Sequence, residues 1–212
     1  AHLRVVRTDV GQDGQVMDDV AEGRCLDDEE SWHGAYFRIQ FMLSQNAGPM
    51  KFAFVIFKYF PFGGAQRDMM RIARQCVKLG HEVHIYTLSW EGSAPDEGII
   101  AEIINGRGWA NHRRYRDFIR QVQSRIAAAH FDLVVGFNRM SGLDAYFAAD
   151  PCFIERAHAQ RGWLYRLTGR YRFFAECEKA VLSPRAACEI LLLSLNEKIV
   201  FQRWYATPET RF

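Results

Sequence analysis

Residues 51–79 read KFAFVIF-KYFPFGG-AQRDMMRIARQCVKL, and the order of these three segments decides the fold. The first segment is strongly apolar, as in a strand that is buried on both faces of a sheet. The second is a loop that ends in Gly63 and Gly64, and the third carries apolar residues at helical spacing. A strand, a glycine turn and a helix in this order direct backbone N–H groups and a positive helix dipole to one point. The stretch therefore predicts a place where an anion can bind.

The same alternation of strand-like and helical segments continues along the chain. Strand-like stretches are found at 81–88, 99–104, 131–137, 145–149 and 189–194. Helical patterns are found at 65–79, 111–129, 154–160, 163–181 and 196–205. This alternation predicts an α/β fold, a Rossmann-like doubly wound parallel sheet with helices on both faces. Ligands of such sheets bind beyond the carboxyl ends of the strands, which selects the loops 58–68 and 138–144.

The two parts of the chain differ in charge. Residues 1–49 hold four Arg and nine Asp or Glu, whereas residues 50–212 hold 23 Lys or Arg and 16 Asp or Glu. We interpret 1–49 as an acidic extension that is poorly ordered or comes from a misplaced start site, and a small folded element is the alternative. The basic remainder favours anionic partners such as phosphate, nucleic acid or an acidic membrane, although an ordinary basic surface also explains it.

The cysteines and the apolar runs indicate a cellular location. Cysteines occur at positions 25, 76, 152, 177 and 188, and no pair has the spacing of metal ligands. They predict reduced structural thiols in a cytosolic protein. No apolar run approaches the length of about 20 residues that crosses a bilayer, and the N-terminus lacks the layout of a secretory signal. A cytoplasmic protein is therefore expected.

Three residues of the first loop are candidates for ligand binding. Gly63 and Gly64 would let a phosphate or a sugar approach the backbone, although a tight turn also requires glycine. Asp68 would accept a hydrogen bond from a sugar hydroxyl or take up a proton, although an acid in the first turn of a helix also stabilises the helix dipole. The loop is neither GxGxxG nor a P-loop motif.

The second loop offers Asn138, Arg139 and Asp144 as groups that could orient a substrate, with ordinary turn chemistry as the alternative. Further along the chain, four arginines alternate with aromatic residues. This pattern suits an interface with anionic lipid, or stacking on nucleic acid, or an amphipathic core helix with a solvated basic face. The residues concerned are Arg161, Trp163, Arg166, Arg170 and Arg172.

Four segments of the chain resemble one family. They read MKFAFVIFKYFPFGGAQRDMMRIA, HEVHIYTLSWEG, VVGFNRMSGLDAYFAADPCF and GWLYRLTGRYRFFAECEKAV. They are similar to the lipopolysaccharide core glucosyltransferases I of Gram-negative bacteria, which are retaining GT-B glycosyltransferases of family 4. KYFPFGGAQRD and VVGFNRMSGLDAYFAAD are long and unusual, so the resemblance is specific. It covers residues 50–212, the N-terminal Rossmann-like half of a GT-B fold.

The resemblance implies a hexosyltransferase that moves glucose from UDP-glucose to the inner-core heptose of lipopolysaccharide, with retention and without a metal or other cofactor. It also implies peripheral attachment to anionic lipid on the cytoplasmic face of the inner membrane, through the neighbourhood 146–171. Gly63, Gly64 and Asp68 then become donor-binding residues, and Asp68 and Asp144 become catalytic candidates. The expected acceptor or membrane contacts are Asn138, Arg139, Arg161, Trp163, Arg166, Arg170 and Arg172.

The second GT-B domain, which supplies most UDP-binding residues in this family, is missing from the sequence. We therefore expect the chain to fold at least partly and to have no useful transferase activity alone. Two alternatives are a family-4 transferase with another sugar or acceptor, and a non-enzymatic module that binds membranes or phosphate. A nucleic-acid partner is not expected, since no nucleic-acid motif is present.

Overall fold

The computed structural model describes residues 48–212, so the interpretation of 1–49 lies almost entirely outside the described residues. The strands are β1 Lys51–Val55, β2 Lys58–Tyr59, β3 Glu82–Thr87, β4 Ser89–Trp90, β5 Ile99–Ile103, β6 Leu133–Gly136, β7 Ala145–Ala148 and β8 Glu189–Leu192. The α-helices are α1 Gly64–Lys78, α2 Asn111–Ala129, α3 Phe153–Gln160, α4 Gly169–Leu182 and α5 Leu195–Tyr205. Short 3-10 helices lie at Trp163–Leu167 and Glu209–Arg211.

Six strands form one parallel sheet in the order β5-β3-β1-β6-β7-β8. The chain moves outward from β1 to β3 and β5, and then returns to the other side of β1 to form β6. The direction of winding therefore reverses between β1 and β6, which is the switch point where such sheets bind ligands. The predicted α/β doubly wound fold is confirmed.

Strand β1 is buried on both faces, as its apolar sequence predicts. Phe52, Phe54 and Ile56 pack in a cluster with the apolar face of α1. The alternate residues, Val55 among them, pack in a second cluster with α2, α4 and α5. Helices thus cover both faces of the sheet, and the sheet fixes the start of α1 above the end of β1.

Two short strands, β2 and β4, are not predicted by the sequence. Lys58–Tyr59 and Ser89–Trp90 pair in parallel as a separate two-stranded sheet, and the Tyr59 and Trp90 rings stack with 3.8 Å between their centroids. Both segments were expected to be loops, because a strand of two residues shows no alternation of apolar and polar positions. This small sheet joins the loop after β1 to the loop after β3.

The helix expected over 163–181 is divided in two. A 3-10 helix at Trp163–Leu167 is followed by Thr168, whose Oγ1 accepts a hydrogen bond from the Tyr171 N–H and caps α4. Threonine is a preferred N-cap residue, so a new helix starts there. Within residues 48–212, no helix combines the length and the apolar character that crossing a bilayer requires.

The four cysteines in the described part of the chain are unpaired and buried. Burial raises the pKa of each thiol to about 12, for Cys76, Cys152, Cys177 and Cys188. These cysteines are therefore protonated packing residues at neutral pH, as the sequence predicts, and Cys25 lies outside the described residues.

Candidate functional site

Gly63 and Gly64 lie at the start of α1, beyond the carboxyl end of β1, and they differ in what surrounds them. Gly63 is the N-cap residue and is buried. A Cβ at Gly63 would lie 2.0 Å from Gln66 Oε1 and 2.8 Å from the Phe60 ring, so these two side chains would have to move to admit a larger residue. A Cβ at Gly64 would have no neighbouring atom within 4 Å. Gly64 therefore faces open space, and its glycine is not required by packing among the described residues.

The start of α1 is well suited to hold an anion. Its N-cap residue, Gly63, has no side chain that could cap it, and its first turn contains no acidic residue. The N–H groups at an uncapped helix start lack partners within the helix, and the helix dipole adds a partial positive charge there. Backbone donors and open space thus coincide at Gly64, at the switch point of the sheet.

Asp68 lies in the second turn of α1, because the helix begins at Gly64. The expectation that Asp68 belongs to the first turn is wrong. The helix dipole acts mainly on charges in the first turn, so it is a weaker explanation for an acidic residue at this position. Residues four apart share one face of a helix, and Asp68 is four residues after Gly64. Its carboxylate is 21% exposed and lies 3.5 Å from Arg71 Nη1. A ligand in the open space over Gly64 would therefore approach Asp68.

The loop that carries the glycines is held in place from two sides. The Phe57 N–H donates to Asn138 Oδ1 at 2.7 Å, which ties the end of β1 to the loop after β6. Gln66 Nε2 donates to the Lys58 carbonyl at 3.2 Å. Asn138 thus lies at the carboxyl edge as expected, but its side-chain oxygen accepts from the backbone. The structure gives it a role in positioning the loop.

Arg139 is largely buried, and its guanidinium binds groups inside the protein, so the contact with an acceptor or a membrane stays a prediction. Its guanidinium lies 3.2 Å from Glu178 Oε1, and it donates to the carbonyls of Asp150 and Pro151 at 2.6 and 2.7 Å. The side chain is only 11% exposed. Polar residues in a loop suggested exposure, whereas the ion pair depends on an acid 39 positions later in the chain.

Glu178, which the sequence analysis did not identify, is fully buried. Its carboxylate accepts hydrogen bonds from the N–H groups of Phe153 and Ile154, at 2.6 and 3.0 Å, and so caps α3. It also accepts from the Tyr205 hydroxyl at 2.7 Å. Burial and the Glu178 charge raise the pKa of Tyr205, which keeps its hydroxyl a donor. The sequence does contain a signal for this buried carboxylate, because Glu178 is a single acid on the apolar face of α4.

Asp144 does not lie at the carboxyl edge of the sheet. Its carboxylate accepts from the Val134 N–H at 2.7 Å, and its own N–H donates to the Val134 carbonyl at 2.9 Å. Val134 is near the start of β6, and Asp144 directly precedes β7. Residues 137–144 run from one edge of the sheet to the other, without a helix, and Asp144 reaches the amino edge. The expectation that Asp144 lies at the carboxyl edge with Asn138 is wrong, while its catalytic role stays a prediction.

The arginines and aromatic residues around the 3-10 helix form an exposed surface. Trp163, Leu164 and Leu167 are 68%, 61% and 59% exposed. Arg161 lies over the Tyr165 ring and Arg170 over the Phe174 ring, at 5.8 and 5.7 Å, while Arg166 and Arg172 are exposed. The earlier part of the expected membrane-contacting neighbourhood, Tyr146–Cys152, is largely inside the core, and Tyr146 itself is fully buried. Only the later part can therefore contact a membrane.

Across residues 48–212, no three His, Cys, Asp or Glu side chains lie together in an arrangement that could hold a metal ion.

A doubly wound sheet with an uncapped, glycine-rich helix start at its switch point defines the class of Rossmann-like ligand-binding domains. Residues 62–205 match the family Glycosyltransferase Family 4, which is most of the chain. The protein belongs to this family, and the resemblance found in the sequence is confirmed.

A curated protein and a solved structure, both named WaaG, extend the comparison. The chain is 42% identical over 160 residues to the lipopolysaccharide glucosyltransferase WaaG of Escherichia coli K12, which covers 76% of this chain and 42% of that protein. It superposes with a TM-score of 0.74 and 42% identity on the crystal structure of WaaG, a glycosyltransferase involved in lipopolysaccharide biosynthesis, covering 76% of this chain and 43% of the other. The fold matches the N-terminal half of a GT-B glycosyltransferase. The chain spans less than half the length of these relatives.

Proposed function

We propose that residues 50–212 form the N-terminal half of a retaining GT-B enzyme that transfers glucose from UDP-glucose to the inner-core heptose of lipopolysaccharide. The observation that carries this proposal is the open space over Gly64, with an uncapped helix start beside it and Asp68 on the same helix face. The similarity to a lipopolysaccharide glucosyltransferase supports the choice of donor and acceptor.

The proposed chemistry depends on positioning and electrostatics. The N–H groups at the start of α1 would donate to the diphosphate of the donor and stabilise the charge that develops as UDP departs. Asp68 would accept a hydrogen bond from a hydroxyl of the sugar or of the acceptor. Glycosidases that retain configuration use two carboxylates about 5 Å apart, but Asp144 lies at the other edge of the sheet. We therefore propose attack on the face that UDP leaves, with the departing phosphate taking the proton of the acceptor hydroxyl.

A chimeric enzyme tests this proposal. Residues 50–212 would replace the corresponding half of the E. coli relative, and glucose transfer to a core acceptor that lacks this glucose would be measured. We expect transfer from UDP-glucose, and a loss of at least about tenfold (~1.4 kcal/mol) in the Asp68→Asn variant. UDP-galactose and ADP-heptose would be tested as competing donors. Transfer from another donor only, or none by a folded chimera, would overturn the proposal.

The exposed surface at Trp163–Leu167 supports a second part of the proposal, peripheral attachment to anionic lipid at the cytoplasmic face of the inner membrane. Its apolar side chains would enter the interface while neighbouring arginines contact phosphate groups. We expect Trp163→Ala to weaken binding to vesicles that contain anionic phospholipid by about tenfold (~1.4 kcal/mol) in a flotation assay.

Trp109→Ala is the matched control for the vesicle experiment. Trp109 is fully exposed but lies outside this surface, on the loop before α2. We expect its replacement to leave vesicle binding unchanged. Equal losses for the two tryptophan variants, or vesicle binding that does not weaken with added salt, would argue against the assignment.

A further inference from the structure

The first turns of α2 and α4 meet at the carboxyl edge of the sheet. Helix α2 starts there because it follows β5 through a short loop. Nε2 of His112 lies 3.2 Å from the position that a Cβ on Gly169 would occupy, so the first residues of the two helices are in contact. One turn further along α2, Arg116 lies over the Phe173 ring at 5.4 Å and 3.6 Å from Glu176. The two helix starts therefore form one surface, on the same edge as Gly64.

This surface is strongly cationic. Residues 105–116 contain four arginines and no acid, and so do residues 161–172. We call these eight residues the arginine surface: Arg107, Arg113, Arg114, Arg116, Arg161, Arg166, Arg170 and Arg172. Arg113 and Arg114 are exposed, and no carboxylate of the described residues lies within ion-pair distance of either. Like charges gathered on one surface raise the local concentration of anions.

The positive charge of this surface also affects the pKa of His112, which lies among the arginines. Burial, together with the charges of Arg113 and Arg116 on α2 and of Arg170 on α4, lowers the pKa of its imidazole. The histidine is therefore largely neutral at pH 7 and leaves the arginines to provide the charge.

The helix geometry adds donors to this charge. The N-cap residue of α2, Ala110, has no side chain that can cap the helix, so backbone N–H groups of the first turn are available to a ligand. Arginine guanidinium groups and helix N-termini together are a common arrangement for binding a phosphate group. A compact anion with several acceptor oxygens fits these donors better than a carboxylate does.

Trp109 stands beside the arginine surface with its whole side chain exposed. The loop that carries it is held in place, because the Arg107 N–H donates to Asp117 Oδ2 at 2.9 Å and Gln121 donates to the Asn105 carbonyl at 3.2 Å. An exposed indole ring on an anchored loop offers a flat apolar face with an N–H donor at its rim. The apolar C–H face of a sugar ring is a suitable partner for it.

We propose that the arginine surface, on its α2 side, binds a phosphate group of the saccharide acceptor, and that Trp109 packs against the adjoining sugar ring. This inference rests on the proposed function, because it concerns the acceptor of that reaction. The location favours a saccharide over a lipid head group. The α2 side shares its edge of the sheet with Gly64, whereas the exposed leucines of this neighbourhood lie on the 3-10 helix.

Binding of isolated core oligosaccharide in the absence of a sugar donor tests the inference. The probe is deacylated inner-core oligosaccharide, either with its phosphate groups or after their removal, titrated into the 212-residue chain by NMR or calorimetry. We expect the phosphorylated form to bind at least about tenfold more tightly. Arg113→Gln should remove most of this difference, and Trp109→Ala should weaken both forms alike.

Arg185→Gln is the matched control, because it removes the same charge from an exposed position on the loop before β8, at the opposite edge of the sheet. Equal effects of Arg113→Gln and Arg185→Gln would show only general charge attraction and would overturn the proposal. So would a loss of vesicle binding in Arg113→Gln with no change in oligosaccharide binding, since that result assigns the surface to lipid. Equal affinity for the two oligosaccharide forms would also overturn it. The binding experiment contains no sugar donor, so its results can be interpreted even if the chimera fails to transfer glucose.

Discussion

Replacing Gly64 with alanine is expected to raise the KM of the chimeric transferase for UDP-glucose at least about tenfold, while its fold remains intact. The new methyl group would enter the space that we assign to the donor, and it would meet no atom of the described chain within 4 Å. Gly64 does not have a positive φ, so alanine fits its backbone conformation. Alanine at such a position raises the free energy of unfolding by about 0.4–1 kcal/mol. The variant should therefore be less active and slightly more stable than the parent chimera.

The neighbouring glycine provides the control. Alanine at Gly63 would displace the ends of the Gln66 and Phe60 side chains, and this overpacking, with the loss of the Gln66 hydrogen bond to the Lys58 carbonyl, costs about 1 kcal/mol of stability. Both variants should lose activity, but only Gly63→Ala should also unfold at a lower urea concentration. A Gly64→Ala chimera with unchanged KM and kcat would mean that no donor approaches this helix start.

Replacing Glu178 with alanine is expected to be among the most destabilising single changes in the chain. It would leave the Arg139 guanidinium buried without its carboxylate, and breaking a buried ion pair in this way costs about 3–5 kcal/mol. The N–H groups of Phe153 and Ile154 and the Tyr205 hydroxyl would lose their acceptor as well. Urea unfolding of the chain, followed by circular dichroism, measures the change.

A double variant separates the charge from the packing. Arg139→Met with Glu178→Leu removes both charges and fills the volume with apolar atoms, so it should be more stable than Glu178→Ala alone. Glu178→Gln should fall between the two, because it keeps an acceptor oxygen but leaves the arginine unpaired. A loss below about 1 kcal/mol for Glu178→Ala would mean that water reaches and solvates the guanidinium.

The sequence predicted the fold well where the pattern is long and local. The bounds of α2 agree with its apolar spacing, and the buried run of β1 and the helix after Gly64 follow from the same reasoning. Two-residue strands such as Lys58–Tyr59 leave no such pattern. The break before α4 depends on one cap, Thr168, which periodicity alone does not detect.

The candidate site was predicted less completely, because its geometry depends on contacts between distant parts of the chain. Gly63, Gly64 and Asp68 are neighbours in sequence and are together in space. Asn138 and Asp144 are also close in sequence, yet they lie at opposite edges of the sheet. Only the pairing of β6 with β7 reveals this, and no local signal encodes it.

The connection between β6 and β7 has a consequence for how this domain can change in length. Parallel neighbours usually need a dozen or more connecting residues, but residues 137–144 cross the sheet in eight. Met140 and Leu143 are buried along the way, so the segment is anchored to the core at two points. Losing one residue would shift β7 by one position and exchange Tyr146 with Phe147 between the two faces of the sheet. Related chains should therefore vary in length elsewhere and keep the length of this segment fixed.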